Sequence, residues 1–325
     1  PNAGTLSFRQ ASAEKSYLKD LHYDPNTEIN ITNGGMGALS LLFLILLNKG
    51  DEILIQDPQW LNYVAQVAYC DGTAVRVPTD LEHNFEMQPE AIEKLITPHT
   101  KALMINTPNN PTGVVYSAET LIRLADILTE KSKVFGHNIF LVSDEPYRDI
   151  AFDGKKVPYP AAFYPHTLTC FSFSKSLSLP GERLGYVAVR PGCEGEDVLV
   201  DMMAQISRFT GHNCPPSIIQ RAVSRCLNVT SDLSVYETNM NLLYDKLTEL
   251  GFEVERPGGT FYIFPKALEE DANAFCLKAR EFDLLLVPSD TFGVKGYVRF
   301  AYCIDTEKVK RSLPALEKLA ASYRK

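Results

Sequence analysis

The sequence contains a single tryptophan, Trp60, six histidines and no C-x-x-C pair. Its seven cysteines, Cys70, Cys170, Cys193, Cys214, Cys226, Cys276 and Cys303, are odd in number and scattered. That argues against a disulfide framework and points to reduced thiols in a cytoplasm. Histidines and cysteines do not fall at metal-ligand spacing, so no metal site is expected. Positive charge is scarce as well. Lysine and arginine number 32 against 40 acidic residues, a formal net charge of −8. A nucleic-acid binder needs a basic face to neutralise phosphates, so no nucleic-acid partner is expected. The longest apolar run, Ala38 to Leu47 with Ser40 inside it, falls short of the ~20 residues that span a bilayer. It reads as a buried core helix, and no membrane partner is expected. The start, Pro1-Asn2-Ala3-Gly4, shows neither the basic nor the apolar region of a secretory signal.

What is present is apolar periodicity. At 325 residues and 45% hydrophobic content the chain can bury one large core or two smaller ones. Seven short apolar runs predict strands: Ile29–Thr32, Glu52–Ile55, Thr73–Val77, Ala102–Asn106, Ile139–Ser143, Leu168–Ser172 and Gly185–Val189. Helical patterns lie between several of them, at Gly37–Asn48, Pro89–Ile96 and Ser117–Lys131. Alternating strands and helices imply an α/β domain, a mostly parallel seven-stranded sheet flanked by helices. Near-continuous apolar strands such as Ala102-Leu103-Met104-Ile105 fit burial on both sides. The pattern changes after about residue 230. A helical stretch from Leu233 to Leu250 ends at Gly251. Short strand-like pieces follow at Glu253–Glu255, Thr260–Phe264, Leu284–Val287 and Tyr297–Ala301, with helices at Asn273–Glu281 and Thr306–Tyr323. The expectation is a large domain over residues 1–232 and a small C-terminal α+β domain over residues 233–325.

Five polar or glycine-rich segments follow predicted strands. In Ser172-Phe173-Ser174-Lys175-Ser176, hydroxyl residues flank a lysine, and Arg183 comes eight residues later, before the next strand. A lysine of lowered pKa can form an imine. Serines and a forked arginine suit a phosphate monoester. In Thr32-Asn33-Gly34-Gly35-Met36-Gly37, glycines let backbone N–H groups approach an anion at a helix N-terminus, although such a turn is often only a connector. Asn106-Thr107-Pro108-Asn109-Asn110-Pro111-Thr112-Gly113 is by itself a rigid turn. Asp144, in Ser143-Asp144-Glu145-Pro146-Tyr147, would be costly to bury without a cation or donor; its bland alternative is a helix N-cap. Trp60, in Asp57-Pro58-Gln59-Trp60, could stack on a planar ring or simply be a packed aromatic. In open α/β sheets, ligands bind beyond the carboxyl ends of strands, so five such loops together point to one site.

Taken in order and spacing, N-N-P-T-G, D-E-P-Y and S-F-S-K-S-L-S-L-P-G-E-R-L-G-Y resemble the class I/II, fold-type I aminotransferases dependent on pyridoxal 5′-phosphate (PLP). The resemblance spans nearly the whole chain. It implies an enzyme that moves an amino group between an L-amino acid and a 2-oxo acid by a ping-pong Schiff-base mechanism. It also implies roles. Lys175 would be the Schiff-base lysine, with Asp144 on the pyridine nitrogen and Tyr147 and Asn110 on the phenolic oxygen. Trp60 would stack on the ring. Gly35, Met36, Ser172, Ser174 and Arg183 would hold the phosphate. Arg299, in Tyr297-Val298-Arg299-Phe300, would grip the substrate α-carboxylate beside Asn110. Phe261 and Tyr262 either line the side-chain pocket or pack in the core.

The resemblance further implies a homodimer, and a segment ahead of Pro1 carrying a glycine-containing substrate strand and a tyrosine for the neighbouring subunit's phosphate. The loop Thr291–Gly296 is shorter than the family pattern. Two rival functions share these residues. A carbon–sulfur β-lyase would expel a group from Cβ with the same lysine and aspartate, and ordinary turnover with a 2-oxo acid would exclude it. A non-catalytic PLP-binding regulatory module would bind cofactor without consuming a donor, but no helix-turn-helix segment accompanies it.

Overall fold

The computed structural model describes residues 2–324. Seven strands, β1 (Ile29–Asn33), β2 (Glu52–Asp57), β3 (Thr73–Pro78), β4 (Thr100–Asn106), β5 (Phe140–Asp144), β6 (Thr167–Ser172) and β7 (Leu184–Val189), form one sheet. Their order is β1-β7-β6-β5-β4-β2-β3. Strands β2 to β6 pair in parallel, while β7 runs against both β6 and β1. The reversal has a local cause. The link from Ser172 to Leu184 is shorter than the dozen or more residues a parallel crossover needs. The start of β7 therefore lies at the same edge as the ends of β1, β2, β4, β5 and β6.

Successive side chains of a strand point to opposite faces, and both faces here are buried. Ile53, Ile55, Ala102 and Met104 pack with the helix Gly34–Leu46 on one side. Leu54, Leu103, Ile105 and Leu141 pack with the helix Ala118–Phe135 on the other. This is why the strands read as continuous apolar runs rather than as alternation. The helix Gly34–Leu46 is the run suspected of being a core helix, and Ala38, Leu39, Leu42 and Phe43 in it are fully buried. The helix Ala118–Phe135 starts where Ser117 Oγ accepts a bond from the Thr120 N–H and ends at Gly136, φ 73°.

A smaller unit accompanies the sheet. Strands β8 (Tyr262–Ile263), β9 (Val287–Pro288) and β10 (Val298–Ala301) pair antiparallel in the order β8-β10-β9. The helices Leu233–Glu249, Ala272–Arg280 and Thr306–Ala321 belong with it, and Leu243, Leu247, Phe275 and Leu316 fill its core. Tyr147, Ile150 and Phe152, from the segment after β5, share that core.

Several expected elements differ. Glu253–Glu255 is not a strand, although the Glu253 carbonyl accepts a bond from the Lys266 N–H. The strand expected over Thr260–Phe264 is confined to Tyr262–Ile263; at its start Thr260 takes the left-handed region, φ 67°, which keeps it out of extended backbone. The strand expected over Leu284–Val287 begins only at Val287, where pairing with Arg299 starts. Helices at Leu6–Ala13, Asn62–Tyr69, Glu196–Phe209 and Ser217–Val223 were not anticipated. Among the described residues all seven cysteines are unpaired, and no helix is long and apolar enough to cross a membrane.

Candidate active site

The common edge of β1, β2, β4, β5, β6 and β7 opens into a cavity of about 290 Å³. Gly35, Met36, Trp60, Asn110, Asp144, Tyr147, Ser172, Ser174, Lys175, Arg183 and Arg299 all line it. The fold thus gathers every residue singled out as a site candidate, from segments far apart in the chain. Tyr262 lines the cavity too, while Phe261 packs behind it in the core of the smaller unit.

Asp144 is the last residue of β5 and is buried. No helix follows it; residues 146–149 form a turn, so it is not a helix cap. The Tyr63 hydroxyl donates to its Oδ2 at 2.5 Å, and the Asn106 amide donates to its backbone carbonyl at 2.8 Å. Burial pushes the Asp144 carboxyl up to about 7, against the lowering effect of the Tyr63 bond. Among the described residues no cation pairs with it. Below it, Glu145 and Arg148 form a fully buried ion pair, with Ser143 Oγ donating to Glu145 at 2.7 Å. The Arg148 guanidinium also donates to the carbonyls of Val157 and Pro158, which ties down the turn that carries Tyr147.

Lys175 sits in a short helical turn after β6, and its Nζ lies 5.5 Å from the centre of the Phe261 ring. Burial lowers its pKa most; the Cys303 thiol opposes that, and the Arg299 and Arg183 charges add to the lowering. Two devices converge on the serine end. Ser172 Oγ accepts from the Ser174 N–H at 3.2 Å and lies 2.8 Å from Ser174 Oγ. Arg183 comes from the reversed start of β7, where its Nη2 donates to the Asn33 carbonyl at 3.3 Å. A Cβ at Gly34, φ 70°, would lie 2.7 Å from that Nη2, so the guanidinium can rest there only over a glycine. Hydroxyls, a forked cation and the N-terminus of the helix Gly34–Leu46 together suit a phosphate dianion.

At the other end Arg299, on β10, donates from Nη1 to Asn110 Oδ1 at 2.9 Å. Its guanidinium is held between two rings, 4.2 Å from the centre of Tyr262 and 4.8 Å from that of Phe292. Its Nε is buried without a partner among the described residues. Asn110 is itself fixed by Asn106 Oδ1, which accepts from the Asn110 N–H at 2.8 Å. Trp60 meets Tyr63 edge to face, ring centres 5.4 Å apart. Sequence reasoning did not identify Tyr63 or Asn106 as site residues. Tyr63 sits one helical turn after Trp60, and that spacing was the only signal available.

Known proteins agree with this geometry. The family described as aminotransferase class I and II matches residues 1–316. The chain belongs to that family. It is 32% identical to aromatic-amino-acid aminotransferase 2 of Thermococcus litoralis, over 98% of this chain and 83% of that protein. It is 31% identical to the aspartate aminotransferase of Geobacillus stearothermophilus, over 98% and 82% respectively. An aminotransferase structure from Eubacterium rectale superposes with a TM-score of 0.95 at 42% identity, covering all of this chain and 81% of that one. The aspartate aminotransferase of Thermus thermophilus with maleate gives 0.87 at 31% identity, over 98% and 83%. Class I and II aminotransferases are PLP-dependent, and this one is a transaminase. Its residues fit the cofactor. A buried carboxylate lacking a cation, a half-buried amine of lowered pKa and a hydroxyl-and-arginine cradle share one cavity.

Proposed function

We propose that the cavity residues divide the work of transamination between an L-amino acid and a 2-oxo acid as follows. Lys175 Nζ anchors the cofactor covalently and later moves the substrate Cα proton, as general base and then acid. Its lowered pKa supports this, because the amine must be unprotonated to form the imine and to take the proton. Asp144 pairs with the ring nitrogen of the cofactor. The support is a carboxyl buried with one hydroxyl donor, for which a nearby positive charge would favour the anion. Tyr147 and Asn110 donate to the phenolic oxygen, and Trp60 stacks on the ring. Gly35, Met36, Ser172, Ser174 and Arg183 hold the phosphate. Arg299 grips the α-carboxylate with two parallel bonds, which a lysine could not form. Bound there, PLP supplies an aldehyde that captures an amino group and a ring that accepts the electron pair left at Cα.

The observation that carries these roles is the placement of Lys175, Asp144, Arg183 and Arg299 on one cavity. L-Glutamate and 2-oxoglutarate are the proposed shared pair by family analogy, with aspartate, aromatic or broad choice for the other donor. The names of the relatives and the maleate on the Thermus enzyme, a dicarboxylate, support aspartate or aromatic donors. We also propose a cytoplasmic homodimer, supported by its free cysteines and by Met36 and Leu61, exposed apolar side chains at the cavity and beside Trp60. A monomer by light scattering would count against the dimer. A large domain over residues 1–232 and a small one over residues 233–325 are proposed as well, supported by a helix that starts at Leu233. The test of function is the absorbance of the PLP-loaded chain before and after L-glutamate. Replacement of the imine band by the pyridoxamine form supports these roles; a band that ignores every donor opposes them.

A further inference from the structure

Thr260 is a strained residue two positions before Tyr262, which lines the cavity. It is β-branched and fully buried, yet holds φ at 67°, a region that such side chains rarely adopt. Three bonds keep it there. Its N–H donates to the Ile150 carbonyl at 3.0 Å, its Oγ1 accepts from the Tyr262 N–H at 3.1 Å, and its carbonyl accepts from the Tyr302 hydroxyl at 3.4 Å. Backbone held in so unfavourable a region is a pointer to function when the surroundings over-determine it. What this turn aims is Tyr262. The Tyr262 carbonyl is wedged close to Gly113, where a Cβ would come within 2.9 Å of it. Its ring face lies 4.2 Å from the Arg299 guanidinium carbon, and the Tyr147 ring meets it edge to face with centres 6.0 Å apart. Tyr262 thus touches both the carboxylate-gripping arginine and the tyrosine assigned to the cofactor.

We infer that Tyr262, aimed by the strained Thr260 turn, is a positioning residue that holds Arg299 with its ring face while packing against the Tyr147 ring. This rests on the roles proposed above for Arg299 and Tyr147. A planar guanidinium presents both N–H groups to one carboxylate only if its plane is fixed, and an aromatic face fixes it. Against Tyr147 the contact is between rings: the two meet edge to face, which packs the tyrosine assigned to the cofactor beside the arginine assigned to the substrate.

Two variants of the PLP-loaded enzyme test the ring contact. Tyr262→Leu removes the ring, and the KM for L-glutamate should rise about tenfold with kcat little changed while the imine band still forms. Tyr262→Phe keeps the ring face and should restore the wild-type KM, a rescue and a KM-against-kcat split that a general loss of structure would not produce. Unchanged KM in Tyr262→Leu, or a KM raised as much in Tyr262→Phe, overturns the inference. Should Tyr262→Leu fail to fold, the KM of Tyr262→Phe decides alone. A wild-type chain that forms no imine band would instead refute the underlying roles, so the two failures are distinct.

Discussion

Asp144→Asn in the cofactor-free chain isolates one buried charge. Burial raises the Asp144 carboxyl from 3.8 to about 7, so the folded chain keeps a proton that the unfolded chain has released. The stability gained by keeping it is fully present below pH ~4 and is lost as pH rises through about 7. A rise of about three units corresponds to roughly 4 kcal/mol at ~1.4 kcal/mol per unit. Between pH 5 and 8 the part that remains to be lost is roughly 2–3 kcal/mol. Asparagine keeps an oxygen to accept the Tyr63 hydroxyl but carries no charge, so the variant lacks this loss. The assay is urea unfolding of both apo-proteins at several pH values, taking the difference between them. That difference removes the contribution of Glu145, whose carboxyl burial also raises. The expected outcome is a variant that gains on the wild type as pH rises from 5 to 8, with the gap closing when PLP supplies a positive ring nitrogen. Parallel pH curves for the two apo-proteins would refute the account of Asp144.

Two further outcomes are expected. Arg299→Lys replaces a fork held between two rings by a point charge, so kcat/KM for L-glutamate should fall roughly 10- to 100-fold with the imine band unchanged, read by steady-state kinetics. Gly185→Ala would place a Cβ 2.4 Å from the Phe171 carbonyl and 3.1 Å from Gly34, so the turn under the phosphate must shift. PLP should bind more weakly by fluorescence titration, while L-glutamate turnover at saturating PLP is less affected.

Much of the site was legible because its chemistry sits in loops directly after strands. Asp144, Asn110 and Lys175 follow apolar runs that end at one edge of the sheet, and a parallel sheet sends all such ends the same way. Arg183 obeys a different geometry. It precedes its strand, and only the short link from β6, which turns β7 around, brings it to that edge. The strand order and that reversal are tertiary facts that no periodicity encodes. Tyr63 and Tyr262 were missed or left open for the same reason. Each acts through a residue more than 30 positions away, Asp144 in one case and Arg299 in the other. The short strands of the smaller unit were over-extended because β-branched and aromatic runs predict extended backbone, whereas buried bonds hold Thr260 in the left-handed region.

The most direct test of the central claim is chemical. The chain is loaded with PLP, reduced with borohydride and digested, and the phosphopyridoxyl group is located by peptide mass spectrometry. The account predicts that the label falls on Lys175 and disappears in Lys175→Ala together with transamination. A label confined to another lysine, or turnover surviving in Lys175→Ala, would contradict it.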